Sequence, residues 1–112
     1  MTVKPERRNA HRGNPEKQQR RQHKLNSLKN EFEGGKIQNF SQIFAIFSRS
    51  PLSEELDIPF YTFKAKVTHP GEFTINELIK FAELINVEID IILKFIFQQI
   101  TKGRPLSKLK AK

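Results

Sequence analysis

The apolar residues of the chain recur at the three- and four-residue spacing of amphipathic helices, and short polar or Gly/Pro-rich segments separate the periodic stretches. The first stripe, Leu25, Leu28 and Phe32, predicts a helix that the polar residues 17–24 would extend toward the N-terminus. Gly34-Gly35 is expected to end it, because glycine adopts the left-handed C-terminal conformation without strain. The members of the next, denser stripe are Phe40, Ile43, Phe44 and Phe47.

Residues 49–68 predict two short helices joined by a three-residue turn. Ser50 is the expected N-cap of the first, and Pro51 follows at the first helical position, where its missing N–H costs nothing. This helix must stop before Pro59, because a proline ring keeps the preceding residue out of the α region. The inner face of the second helix is predicted to hold Phe63 and Val67, and its other faces Tyr61, Thr62, Lys64 and Ala65.

The clearest local signature lies after this motif. Thr74 and Glu77 form a predicted capping box, in which each side chain meets the free backbone N–H of the other. The helix that follows is expected to end at Asn86 in a left-handed cap. Its predicted buried stripe consists of Ile75, Leu78, Ile79, Ala82 and Ile85.

The last predicted helix, about Glu88 to Ile100, is apolar over most of its surface and cannot face water on one side. A chain of this size has too few residues to cover it, so a symmetric dimer through this helix is expected. The alternative is that the N-terminal helix folds over it within one chain. The predicted dimer contacts are Ile89, Leu93, Ile96, Phe97 and Ile100.

The net charge of +8 is unevenly distributed along the 112 residues. It amounts to +7 in residues 1–30, −4 in residues 31–100 and +5 in residues 101–112. We therefore expect a basic arm, largely disordered or partly helical, at 1–23, a helical domain at 24–100 and a basic tail after it. Basic arms commonly bind nucleic acid or another anionic polymer, and the alternative is that they only keep the protein soluble.

Composition argues against several other classes of protein. Cysteine is absent, so there is no disulfide framework and no thiolate, which fits the cytoplasm as the expected location. No apolar run approaches the ~18 residues that span a bilayer, and the N-terminus lacks the apolar core of a secretory signal. The histidines, His11, His23 and His69, show no metal-ligand spacing. Without a phosphate-binding loop or a strained serine turn, no catalytic residue, metal, cofactor or small-molecule ligand is expected.

The segment from about Phe40 to Ile100 resembles the helix-turn-helix domain of the lambda repressor and Cro type, the small phage-like and xenobiotic-response-element regulators. The resemblance is carried by a small residue where the two helices cross, Ser53, and by apolar residues just after the turn and inside the second helix, Ile58 and Phe63. The segment FTINELIKFAELINV is similar to the next helix of that family.

Two positions depart from the family pattern. The family usually has glycine at the turn, where this chain has Asp57, a residue that tolerates the left-handed conformation better than most. The residue that usually caps the second helix is Ser, Thr or similar, and here it is Pro59.

The resemblance implies an all-α, small five- to six-helix domain that binds double-stranded DNA as a sequence-specific homodimeric transcriptional regulator. Two alternatives remain: a non-specific nucleic-acid binder that uses its arms on a dimeric core, and a helix-turn-helix-shaped protein-interaction module. The DNA-binding residues that the resemblance implies are Arg49, Phe60, Tyr61, Thr62, Lys64, Lys66, Thr68 and His69.

Overall fold

The computed structural model describes residues 15–102, which form six α-helices and a single-turn 3-10 helix, with no strand in that range. The helices are α1 (Pro15–Glu33), α2 (Phe40–Ile46), α3 (Arg49–Glu55), α4 (Phe60–Thr68), α5 (Ile75–Ile85) and α6 (Ile89–Ile100). The 3-10 helix, Pro70–Glu72, lies between α4 and α5. The all-α prediction is confirmed over this range. The start of the predicted arm, before residue 15, and most of the predicted tail, after residue 102, lie outside the described residues.

The first helix is longer than its apolar stripe. It runs without a break for 19 residues from Pro15, so the expected boundary between residues 23 and 24 falls inside it. Leu25, Leu28 and Phe32 are buried as predicted. Gly35 follows the helix at a φ of +72°, the left-handed conformation that its sequence position predicts.

Local capping interactions fix several other helix ends. The predicted capping box is present, because Thr74 accepts from the N–H of Glu77 and Glu77 accepts from the N–H of Thr74. Asn86 ends α5 in the left-handed conformation, with a φ of +60°. A second capping box, formed by Asn39 and Gln42, begins α2 and is an addition to the predicted pattern.

The start of α3 differs from the prediction. The helix begins at Arg49, and its N-cap is Ser48, whose side chain makes no capping hydrogen bond. Ser50 and Pro51 therefore occupy the second and third helical positions. Pro51 is tolerated there because none of the first four N–H groups of a helix has a partner within the helix.

The core lies where α5 and α6 pack together and the C-terminal end of α1 meets them. The ring of Phe32 makes edge-to-face contacts with Phe81 of α5 and Phe95 of α6, at centroid distances of 5.9 and 5.4 Å. Phe40 of α2 reaches the same Phe95 ring at 5.1 Å. The core thus draws on α1, α2, α5 and α6, and α3 and α4 pack against it through Leu52, Leu56 and Phe63.

The turn between α3 and α4 depends on one left-handed residue, Asp57, which has a φ of +60°. The next N–H, that of Ile58, donates to the carbonyl of Ser53 at 3.0 Å, which closes the end of α3. We expect Asp57→Ala to lower the free energy of unfolding by about 1 kcal/mol relative to Asp57→Gly, because a Cβ disfavours this conformation and glycine does not. Urea unfolding of both variants checks this, and equal stabilities would contradict it.

Candidate nucleic-acid interface

The outer face of α4 is open to solvent. Tyr61 is 78 % exposed, and Thr62, Lys64 and Ala65 are exposed beside it, as the spacing predicts. On the opposite side Phe63 is buried at 1 % exposure, and Val67 packs partly buried against the core. The helix is therefore held from one side and presents a mixed aromatic, hydroxyl and basic surface on the other.

The helix α3 carries one small, buried polar side chain, Ser53. Ser53 is 2 % exposed, and its hydroxyl donates to the carbonyl of Ser50 at 2.7 Å. The hydrogen bond stays within α3, so the buried hydroxyl needs no partner on α4, and a side chain as small as serine allows two helices to approach closely. Ile58, directly after the turn, is also buried. These are the positions expected to hold a small and an apolar residue.

Phe60 and Tyr61 form an aromatic pair at the start of α4. Their ring centroids lie 5.2 Å apart at an interplanar angle of 76°. Phe60 is half-buried whereas Tyr61 is exposed, so the Phe60 ring supports the Tyr61 ring from the side. Of the two, Tyr61 offers the larger free surface to a partner.

Arg49 lies at the first position of α3, as expected, but much of its side chain is used within the fold. The guanidinium carbon lies 4.8 Å from the centroid of the Phe44 ring, a cation–π contact. Its Nε is buried and makes no hydrogen bond to any of the described residues.

Lys66 was expected near the DNA backbone, and the structure places its charge elsewhere. Its ammonium donates to both carboxylate oxygens of Glu77 at 2.7 Å, and its side chain is only 15 % exposed. The pair joins α4 to the start of α5. Lys66 thus fixes the position of α4 and adds no exposed cation to the interface.

Thr68 and His69 mark the other end of α4. Both are exposed, and the Thr68 hydroxyl donates to the carbonyl of Lys64 at 3.2 Å. His69 is the C-cap, so it lies just outside the helix. These residues lie two turns from the Phe60–Tyr61 pair, at the far end of the same helix.

Acidic side chains lie close to the start of α4. Glu54 and Asp57 line a groove of about 450 Å³ together with Ser50, Ser53 and Phe60, and the Asp57 side chain is 88 % exposed. Glu55 is paired instead, since it accepts from Nε and Nη2 of Arg21 at 2.5 and 2.8 Å. Glu54 therefore borders the interface, where the DNA-binding hypothesis requires it to face away from phosphate.

The carboxylates of Glu55 and Glu77 have lowered pKa values. The hydrogen bond from Arg21 and its charge outweigh burial and lower the pKa of Glu55. For Glu77, burial is the largest single effect and raises the pKa, but hydrogen bonds from Lys66 and Thr74, with the charge of Lys66, together lower it below the usual value. Both ionised carboxylates therefore stabilise the fold when the pH is above the ordinary pKa of a glutamate. This stabilisation is lost as the pH falls through their lowered pKa values.

We expect Glu77→Gln to lower the free energy of unfolding at neutral pH by about 1 kcal/mol, because glutamine keeps the capping oxygen but leaves the half-buried Lys66 ammonium without its counter-charge. The difference from the wild type should disappear in acid, where Glu77 is itself protonated. Urea unfolding at a series of pH values measures this. Glu83→Gln, an exposed change on the same helix, is the matched control, and an equal loss in both variants would contradict the prediction.

The predicted dimer contacts are divided between the core and the surface. Ile96 is 5 % exposed and belongs to the chain's own core, and Ile89 and Ile100 are partly buried against that core. Leu93 and Phe97 remain exposed, at 38 % and 51 %. The N-terminal helix reaches α6 through the contact of Phe32 with Phe95, while α5 packs along α6. The side of α6 that carries Leu93 and Phe97 stays exposed.

Two residues of α5 join this exposed surface, contrary to the prediction that they are buried. Ile75 is 61 % exposed and Ile79 is 38 % exposed. We call Ile75, Ile79, Leu93 and Phe97 the apolar patch. Three of its members, Ile75, Leu93 and Phe97, line a groove of about 450 Å³ whose floor includes Phe73 and Leu78.

Among residues 15–102 no three His, Asp or Glu side chains come together as a metal site. Within that same part of the chain no helix has both the length and the apolar character needed to cross a membrane.

The chain was compared with protein-family models, with curated proteins and with solved structures, and none of them matches it.

Proposed function

We propose that this protein is a sequence-specific DNA-binding transcriptional regulator of the lambda repressor and Cro type that acts as a homodimer. In this proposal α3 and α4 are the helix-turn-helix, and α4 is the helix that enters the major groove.

The observation that carries the proposal is the two-sided character of α4. Its inner side is fixed by Phe63 in the core and by the Lys66–Glu77 ion pair, while its outer side leaves Tyr61, Thr62 and Lys64 exposed. A rigid helix with exposed hydrogen-bonding and basic side chains is what direct reading of base edges requires. The buried Ser53 at the helix crossing and the left-handed Asp57 at the turn support the same interpretation.

Each exposed side chain of α4 has a proposed role. Lys64 neutralises a phosphate and so contributes affinity that depends on salt. Tyr61 and Thr62 hydrogen-bond base edges or phosphates, and the exposed edge of Phe60 contacts a thymine methyl group. A two-fold dimer places two copies of α4 on half-sites about one helical turn apart, and occupation of such an operator blocks or recruits polymerase.

Selection of bound duplexes from a random pool tests the proposal directly. We expect a preferred sequence with two related half-sites. Lys64→Ala is expected to weaken binding to it and to reduce the slope of log affinity against log salt by about 1. The matched control is Lys36→Ala, which removes the same charge from the exposed segment after α1. Retention of no duplex, or equal effects of the two alanine variants, would contradict the proposal.

The acidic groove beside α4 favours a second candidate, a protein-interaction module. There the Phe60–Tyr61 pair would pack against an apolar side chain of a partner protein, and Glu54 and Asp57 would pair with its basic residues. Glu54→Gln separates the two candidates. If DNA is the partner, removal of this carboxylate should tighten binding by reducing repulsion from phosphate, whereas a basic protein partner would bind the variant more weakly.

A further inference from the structure

The first half of α1 carries a cluster of cations on one face. Lys17, Arg20, Arg21 and Lys24 follow one another at helical spacing, and all four line a groove of about 650 Å³ between α1 and α3. Phe47 and Pro51 form part of the other wall of the groove. We call these four residues the α1 basic face.

This face is held against α3 and against the C-cap of α2 by its own contacts. Arg21 makes a bidentate ion pair with Glu55, and the ammonium of Lys24 lies 5.7 Å from the centroid of the Phe47 ring. One turn further along, Leu25 and Leu28 are buried in the core. The cations therefore belong to a docked helix, and binding an anion would require little further ordering of the backbone.

The groove between α1 and α3 is lined by four cationic side chains and two carboxylates, so its net charge is positive. Arg21 neutralises Glu55, so one of the two carboxylates of the groove already has its counter-ion. Arg20 and Lys24 are exposed, and the ion pairs of Glu33, Glu55, Asp57 and Glu77 involve neither of them. The remaining carboxylate, Glu54, lies at the edge of the groove.

The α1 basic face is also continuous with the start of α4. Glu54 lines both the groove against α1 and the smaller groove that contains Ser50 and Phe60. The two grooves therefore adjoin, and a polymer that crosses the outer side of α3 can contact α4 at one end and α1 at the other, with the Glu54 carboxylate turned away from it if the polymer is an anion. A nucleic-acid backbone is such a polymer, with a regular row of negative charges.

We propose that the α1 basic face is a second DNA-contact surface, which binds the phosphate backbone flanking the bases that α4 reads. This inference rests on the proposed DNA-binding function. Contacts to phosphate position a protein on the duplex and carry no direct sequence information. The α1 basic face therefore adds affinity for every duplex, and α4 supplies the preference for one sequence.

The test uses the full-length chain and two duplexes, one selected from the random pool and one of scrambled sequence. The variant is Arg20→Gln/Lys24→Gln, and the control is Lys36→Gln/Lys102→Gln, which changes the net charge equally at residues outside the groove. Binding is measured over a series of salt concentrations. We expect the slope of log affinity against log salt to fall by about 2 for the variant, because two phosphate contacts are lost at about 0.9 each, and to change little for the control.

Affinity for both duplexes should fall by the same factor, so that the ratio between them stays unchanged. The charge-preserving variant Arg20→Lys/Lys24→Arg should restore the wild-type slope, which a purely structural role of these side chains would not predict. If the wild type binds the selected duplex and the variant matches the control, the α1 proposal fails while the proposed function stands. If the wild type binds no duplex, both fail.

Discussion

Replacement of Phe63 by alanine is expected to lower the free energy of unfolding by about 3–5 kcal/mol, the usual cost of truncating a buried phenylalanine. Phe63 is 1 % exposed, and its ring makes edge-to-face contacts with Phe44 and Phe73 at centroid distances of 6.0 and 6.1 Å. Truncation would leave a cavity among these rings and would release α4 from the core. Since the whole stability of a domain is about 5–15 kcal/mol, we expect a large shift of the urea unfolding midpoint.

Tyr61→Ala is the matched control for this change, because it truncates an aromatic residue of similar size on the same helix. Tyr61 is 78 % exposed, so its loss should change the free energy of unfolding by no more than about 0.5 kcal/mol. The same variant should weaken binding of the selected duplex if Tyr61 contacts it. Equal unfolding midpoints for the two variants would show that α4 is not fixed as described.

The features that the sequence predicted well are those that depend on neighbouring residues. A capping box needs only Thr74 and Glu77, three positions apart, and the left-handed ends at Gly35, Asp57 and Asn86 follow from the residue types at those positions. The outward placement of Tyr61 and Lys64 followed from helical spacing around Phe63 in the same way. Such features need no knowledge of how the helices pack.

The features that the sequence did not predict depend on partners that are distant along the chain. Lys66 was expected at the interface because nothing local indicates its ion pair with Glu77, eleven residues later. Arg21 and Glu55 are 34 positions apart, so the docking of α1 on α3, which places the α1 basic face beside α3, had no local signal. The opposite charges at these positions were visible, but their pairing was not.

When a helix is apolar on nearly every side, its packing against other helices determines which side is exposed. On α6, Ile96 faces the core while Phe97 faces outward, and both are equally compatible with the apolar pattern. The predicted buried stripe of α5 was too wide for the same reason, since Ile75 and Ile79 lie beyond the part that α6 and α1 cover. The surplus of apolar residues correctly indicated an exposed apolar surface, but only the structure locates it.

The second large effect is expected from a substitution in the apolar patch. The proposed homodimer needs an interface, and this patch is an exposed apolar surface beside a groove. We expect the wild type to be a dimer in solution and Phe97→Asp to be a monomer, since a two-fold interface would bury the new carboxylate close to its symmetry mate. Affinity for the two-half-site operator should fall by about a hundredfold or more, because a monomer engages only one half-site. Sedimentation of the protein measures its oligomeric state, and titration of the selected duplex with the protein measures the affinity.

Two controls separate loss of the dimer from loss of the fold. Gln98→Asp introduces the same charge at the next exposed position of α6, outside the apolar patch, and should leave the dimer intact. Ile96→Ala removes a core side chain and should lower the free energy of unfolding by about 2–5 kcal/mol, whereas Phe97, 51 % exposed, should tolerate substitution with little loss of stability. A wild type that stays monomeric when concentrated, or a dimer that survives Phe97→Asp, would exclude the apolar patch as the dimer interface. Binding through a single half-site would then have to account for any operator preference.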